Sequence, residues 1–347
     1  MKPTTLVCLT AALTLSLSVY ASDKDHCYLR DASAPGPSTA YLLCEQGLVY
    51  ATTDSGATWA ALDTGASVTL HAVAFSDTIH GFVTGDAGTL LATDDGGKTW
   101  QARTTGTKEH LLAIFTLGNQ AWTGGFDGTL LHSGDGGRTW DKQNSGTTMA
   151  IEAIYFLDAD HGWAVGWSGT ILRTADGGKN WKLVKTDAAQ WSMATVRFFD
   201  LKNGFAAGFS GQLLRSKDGG ATWEAIKSGT QSWLTSITAD RANRIWIAAD
   251  DKLLVSEDSG NMWRAVAIEN NSFIARVFPV GNSLWALGEL ELLRQIGSGL
   301  QWKRDASFVP AGAQITSTLD DAAASGATKG KQQAITLSGV GSGHPTF

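Results

Sequence analysis

The chain has 347 residues, with 40 Gly, 14 Trp and only 17% charged residues, against roughly 25% charged and about 7% Gly in an ordinary soluble chain. A hydrophobic content of 43% is enough to bury a core and excludes global disorder, and six Pro without a Gly period exclude collagen. The formal charge of −6 argues against a dedicated nucleic-acid binder, which needs a basic patch.

Residues 1–21 (MKPTTLVCLTAALTLSLSVYA) have the layout of an export signal. Lys2 supplies the positive start, 6–19 carry no charge, and Val19 and Ala21 are small residues where an exporting peptidase reads. The apolar run is shorter than the ~20 residues a membrane span needs. Cleavage after Ala21 is expected, with an exported chain in the periplasm, or in a lumen if the cell is photosynthetic. Cleavage removes Cys8 and leaves Cys27 and Cys44. In an oxidising compartment an isolated pair is expected to form a disulfide. Neither sits in a CxxC or Cys/His cluster, so no metal site is expected there.

From residue 22 to about 318 one unit recurs. Trp stands at 59, 100, 140, 181, 223, 263 and 302, spaced by 41, 40, 41, 42, 40 and 39. Before these tryptophans come TTDSGATW, TDDGGKTW, SGDGGRTW, TADGGKNW, SKDGGATW and SEDSGNMW; the seventh, QIGSGLQW, lacks the acid. Within 108–142, LLAIFTL, AWTGG, TLLHS and TWDKQ read as four short strands separated by Gly/Asp/Asn turns. Four strands in about 40 residues are the signature of a propeller blade. The expected fold is all-β: a seven-bladed β-propeller of four-stranded antiparallel blades.

Asp54, Asp95, Asp135, Asp176, Asp218 and Asp258 stand two positions before a Gly in the turn between strands three and four. A carboxylate there can accept backbone N–H bonds, and the Gly can supply a positive φ. These acids are therefore assigned to structure rather than to catalysis or calcium. The box Trp is expected to pack between blades, as is the second-strand series Phe82, Trp122, Trp163, Phe205, Trp246 and Trp285. The first hairpin, 27–33 with 40–46, is weak, and Cys27–Cys44 is expected to staple it. A segment such as 305–317 is a candidate to run along blade one. Residues 319–347 are Ala/Gly/Ser/Lys/Gln-rich and read as a flexible tail.

The box resembles the Asp-box repeat of bacterial neuraminidases. The fuller unit, as in HGFVTGDAGTLLATDDGGKTW (80–100) and HGWAVGWSGTILRTADGGKNW (161–181), resembles the photosystem II stability/assembly factor family of cyanobacteria and chloroplasts. The resemblance covers about 40–302. It implies a non-enzymatic protein-binding scaffold that assists a membrane protein or membrane-associated complex, of photosystem, transporter or export type, without a cofactor. It also implies a role for surface arginines, for which Arg173, Arg215 and Arg294 at one third-strand position are the candidates; solvated strand residues are the alternative.

Ligands are best sought in loops held by a rigid scaffold. The loop between strands two and three carries Glu45, Asp86, Phe126, Trp167, Phe209, Asp250 and Glu289 in blades one to seven. The residue leading into strand one is His110, Met149, Trp191, Trp233 or Phe273 in blades three to seven. Phe126, Trp167, Trp191, Phe209, Trp233 and Phe273 thus form a candidate partner-binding face, an aromatic crescent opposite an acidic arc. Inward-folded caps on the blade contacts are the alternative. The class-different rival is a carbohydrate-active propeller, a sialidase-like hydrolase or a glycan binder. No Arg-Ile-Pro motif is present, Tyr155 lies in an apolar strand, and no two of Asp86, Glu152 and Asp250 single themselves out as a catalytic pair. No catalytic residue and no metal site is assigned; the seven His show no ligand spacing.

Overall fold

Seven antiparallel four-stranded sheets follow one another along the chain, and each is built from consecutive strands. The computed structural model describes residues 27–268 and 273–308, with a short antiparallel pair of Ile315–Thr316 and Thr336–Leu337. The export signal at 1–21 and, apart from those two residues, the tail at 319–347 lie outside the described residues. Blade one comprises Leu29–Ser33, Ala40–Cys44, Leu48–Thr52 and Ala60–Asp63. The innermost strands of blades two to seven are Leu70–Phe75, Leu111–Leu117, Ile151–Phe156, Met193–Phe198, Leu234–Ala239 and Ile274–Val280. The protein is the seven-bladed propeller that the Trp spacing predicts.

Every inner strand has a β-bulge at its second residue, where the register slips against strand two. A bulge re-aims the extra side chain. Here it turns Arg30, His71, Leu112, Glu152, Ala194, Thr235 and Ala275 toward an axial cavity of about 250 Å³. The same device on every blade therefore sets what the channel mouth presents.

The Asp-box works as a hydrogen-bonded clamp. In blade two, Thr93 Oγ1 donates to Asp95 Oδ1 at 2.8 Å and accepts from the Gly97 N–H at 2.8 Å. Asp95 in turn accepts from the Thr99 N–H at 2.9 Å and the Thr99 hydroxyl at 2.7 Å. Asp54, Asp135, Asp176 and Asp218 repeat the arrangement, with Asn180 replacing the Thr in blade four. Asp258 keeps the Met262 N–H at 2.9 Å. The Thr58 and Thr99 hydrogen bonds hold the Asp54 and Asp95 carboxyls down at about 2.

Blade seams are aromatic, in two forms. Tyr41, Trp122 and Trp163 each stack face to face on the inner-strand Phe75, Phe156 or Phe198 of the next blade, with centroids 3.5–3.7 Å apart. Box residues Trp100, Trp181 and Trp223 then meet those Phe rings edge on. Gly81 and Gly204 open strand two in two of these blades and Gly162 follows its first residue in the third, and a Cβ there would lie 2.4–2.6 Å from the Phe ring. At the other four seams that inner-strand position holds Thr116, Ala239, Pro279 or Ala34 in place of Phe. The box Trp140, Trp263, Trp302 and Trp59 instead contact Phe82, Phe205, Trp246 and Trp285 directly. The second-strand aromatics are thus core, as expected, and the box Trp does pack between blades.

Among the described residues no strand is exchanged to close the ring; blade seven meets blade one through side chains and one rim hydrogen bond, Leu29 N–H to the Glu289 carbonyl at 2.9 Å. Arg294 donates to the Ser55 carbonyl at 2.7 Å and the Gly56 carbonyl at 2.9 Å, pairs with Asp305, and lies 4.5 Å over the Trp285 ring. Phe308 packs edge on against Trp59 and Tyr50, and Ser307 Oγ donates to the Gly56 carbonyl at 2.6 Å. The segment expected to run along blade one does so over the described residues 305–308. On the inner side, buried Asp31 pairs with Arg276 of blade seven and accepts from the Val73 N–H of blade two at 2.9 Å. Burial nonetheless pushes the Asp31 carboxyl above its usual range. Cys27 and Cys44 are placed as a disulfide with Cα atoms 5.2 Å apart. Cys44 faces Leu29 in the ladder, so the bridge ties the segment just before the strand to the strand-two end.

Candidate functional site

The loops between strands two and three share one backbone frame. The first loop residue donates its N–H to the carbonyl just before strand one: Asp86 to Thr69, Phe126 to His110, Trp167 to Ala150 and Phe209 to Ser192, all at 2.9–3.0 Å. Its own carbonyl accepts an N–H three residues on, at 3.0 Å. The next residue, Ala87, Asp127, Ser168 or Ser210, is left-handed with φ of 51–56°. At the preceding Gly85, Gly125, Gly166 and Gly208 a Cβ would come within 1.9–2.4 Å of the partner carbonyl. Equivalent side chains therefore leave equivalent, fixed points on one face, and only their identity varies between blades.

The structure gathers five of the six predicted aromatics on that face in two runs. Phe126 lies 5.0 Å from the His110 ring and 5.3 Å from Trp167. Phe209 stacks on Trp233 at 4.5 Å, and Trp233 lies 5.5 Å from Phe273. In blade five Ser192 takes the place that Trp233 and Phe273 hold in theirs, so Trp191, expected at that same position, stands one residue earlier and outside both runs. Its N–H is fixed by Gln212 Oε1 at 2.8 Å, yet the residue is 54% exposed, against 41% for Phe209. Met149, also exposed, precedes strand one of blade four. Phe126, Trp167, Trp233 and Phe273 are half-buried. The face is thus preformed, with Trp191 and Phe209 most open to a partner.

The acidic side of the face is more compensated than the sequence suggests. Glu45 accepts a 2.6 Å ion pair from Arg30. Asp250 Oδ2 accepts the Trp233 N–H at 3.1 Å. Asp86 sits between His71 Nε2, at 2.7 Å, and His110 Nδ1. Burial opposes the charge on Asp86, but the hydrogen bonds and charges of the two histidines hold its carboxyl below the usual range. Glu152, at the channel mouth, accepts from Trp167 Nε1; its burial outweighs that bond and pushes its carboxyl up. The acids the rival reading would need are thus each held by a different partner, and among the described residues no two of them share a hydrogen bond.

The three arginines do not join this face. Arg294 is the ring-closing residue described above. Arg215 pairs with Glu224 at 2.8 Å and donates to Asn261 Oδ1 at 2.8 Å in the box turn of blade six. Both therefore reach box turns at the opposite end of the blades. Arg173 is half-buried opposite Trp163 and Lys182 in its sheet. Deeper in the channel, Arg197 stacks at 4.9 Å over Tyr155, a residue pair that no sequence motif marks.

Fold and face together define the class: a seven-bladed Asp-box propeller presenting a preformed aromatic surface at one end of its channel. The family model described as photosynthesis system II assembly factor YCF48 matches residues 62–149, 143–232 and 184–273. Those matches span most of the propeller, and the chain belongs to this family. No curated protein sequence matches the chain. Among solved structures, YCF48 bound to D1 peptide is similar with a TM-score of 0.60 and 23% identity, over 72% of this chain and 84% of that one. YCF48 from Cyanidioschyzon merolae gives 0.65 and 18%, over 80% and 97%. The GH74 xyloglucanase from Xanthomonas campestris gives 0.66 and 14%, over 85% of this chain and 56% of that one. At these identities the likenesses establish the fold.

Proposed function

We propose that the protein is an exported, non-enzymatic assembly factor that binds a segment of a membrane protein or membrane-associated complex through its aromatic face. Family membership carries the assembly-factor reading, and the observation that supports this face is the exposure of Trp191, and of Phe209 stacked on Trp233, on a surface with two packed aromatic runs. Large aromatics with few rotatable bonds are favoured interface anchors. A related propeller structure holds a D1 peptide, which supports an extended protein segment as the ligand. Export and oxidation of Cys27–Cys44 belong to the same proposal. The partner is met without nucleic acid and without a small-molecule cofactor.

The carbohydrate-active reading draws on the GH74 likeness of the fold. Against it stands the separate anchoring of Glu152, Asp86 and Asp250. The test is cross-linking in the native cell. A membrane protein recovered with the wild type and lost with Trp191→Ala plus Trp233→Ala supports the proposal. Glycan turnover abolished by a single carboxylate substitution would overturn it.

A further inference from the structure

We propose that His71, Asp86 and His110 form a binding site for one divalent transition-metal ion at the rim of the aromatic face. The three offer one ligand atom each, His71 Nε2, a carboxylate oxygen of Asp86 and His110 Nδ1, and these atoms all lie within 4.8 Å of one another. They come from three separate elements: the bulged inner strand of blade two, the loop after its second strand, and the residue leading into blade three. The backbone under each is fixed. The Asp86 N–H donates to the Thr69 carbonyl at 3.0 Å, and the His110 carbonyl accepts from the Phe126 N–H at 2.9 Å. The His71 side chain is turned to this point by the bulge between Leu70 and Ala72.

Two imidazoles and one carboxylate suit zinc, cobalt, nickel or copper rather than magnesium or calcium, which take oxygen ligands. Tetrahedral binding with bonds of about 2.1 Å needs donor atoms about 3.4 Å apart. His71 Nε2 and Asp86 Oδ1 are now 2.7 Å apart, so that pair opens by less than an ångström to admit an ion, and the closer His110–Asp86 pair opens somewhat further. The three side chains retain 24%, 29% and 42% exposure, which leaves an approach for the ion and an open fourth position. A neutral imidazole binds through the nitrogen that now faces Asp86, its proton moving to the other ring nitrogen.

The other His–Asp pairs differ in kind. His80–Asp77 and His161–Asp158 are three residues apart within single turns, and each Asp also accepts the backbone N–H of its His. Turn geometry accounts for both pairs. No local turn accounts for residues 71, 86 and 110 converging on one point.

The experiment is titration of the tag-free full chain with zinc chloride by calorimetry, and with cobalt chloride by visible absorption. The expected result is one equivalent bound at micromolar dissociation constant or tighter, with the cobalt band of a four-coordinate ion. His71→Ala and His110→Ala should each weaken binding more than tenfold, and His80→Ala should leave it unchanged. Far-UV circular dichroism shows whether each variant is folded. Should an alanine variant fail to fold, His71→Gln and His110→Gln replace it. No saturable binding by the wild type, or binding that His71 and His110 substitutions leave intact, overturns the proposal.

Discussion

Replacing Arg294 by alanine isolates the one seam where the ring is joined by contacts rather than by chain. The guanidinium holds two box-turn carbonyls of blade one, Ser55 and Gly56, at 2.7 and 2.9 Å, covers Trp285, and neutralises Asp305, whose side chain is 8% exposed. Removing one partner of a buried pair costs about 3–5 kcal/mol because the other charge stays buried. Arg294 itself is 23% exposed, so water compensates part of the loss and about 2–3 kcal/mol is expected. Arg215 provides the control: the same strand position, but with a Glu224 partner that is 52% exposed. An exposed pair contributes about 0–1 kcal/mol. Urea unfolding followed by tryptophan fluorescence should show a clearly larger midpoint drop for Arg294→Ala than for Arg215→Ala. The double variant Arg294→Ala/Asp305→Ala should recover part of the loss. Equal drops for the two single variants would refute the reasoning that Arg294 closes the ring.

Two neighbouring glycines separate backbone strain from crowding. Gly136 and Gly137 have φ of 75° and 79°; a Cβ on Gly136 meets nothing within 4 Å, while one on Gly137 falls 2.2 Å from the Phe82 ring. Gly136→Ala is expected to cost about 1–2 kcal/mol for the left-handed conformation, and Gly137→Ala about 1–3 kcal/mol more for overpacking. Matched stabilities in thermal unfolding would contradict the seam geometry. Acid sensitivity tests the box clamps. The Asp54 and Asp95 carboxyls are depressed from 3.8 to about 2 in the folded protein, so their contribution is present above about pH 4 and is lost as pH falls toward 2. Between those limits the melting temperature of Asp95→Asn should fall less steeply than that of the wild type. Parallel curves would show that Asp95 does not titrate with folding.

Much of this was readable from the chain because it repeats. Seven tryptophans at nearly constant spacing set blade number, and the box residues could be assigned to turns because the same hydrogen-bonding need recurs in every blade. The aromatic face was readable for the same reason: a shared loop frame makes the residue identities at 126, 167, 209, 233 and 273 directly comparable. What breaks the repeat was harder to see. Arg294 occupies the position of Arg173 and Arg215, but only blade seven faces blade one, so only Arg294 finds the Gly56 turn and Asp305. Asp31 reads as a polar interruption in a weak strand until Arg276 and the Val73 N–H are seen around it. His71, Asp86 and His110 fit no ligand spacing, since a bulge, a loop and a neighbouring blade bring them together. The signal that could have found them is the frame itself, which puts the second inner-strand residue beside the loop residue of its own blade.

The central claim is that a membrane protein segment docks on the Trp191–Phe209 face. Site-specific photo-cross-linking measures this directly, with the reactive side chain placed at Phe209 in one variant and at the exposed Met262, in the box turn of blade six, in another. In the native cell the Phe209 variant should yield one dominant adduct with a membrane protein, and the Met262 variant should not. Adducts of equal yield from both positions, or no membrane protein adduct from Phe209, would contradict the account.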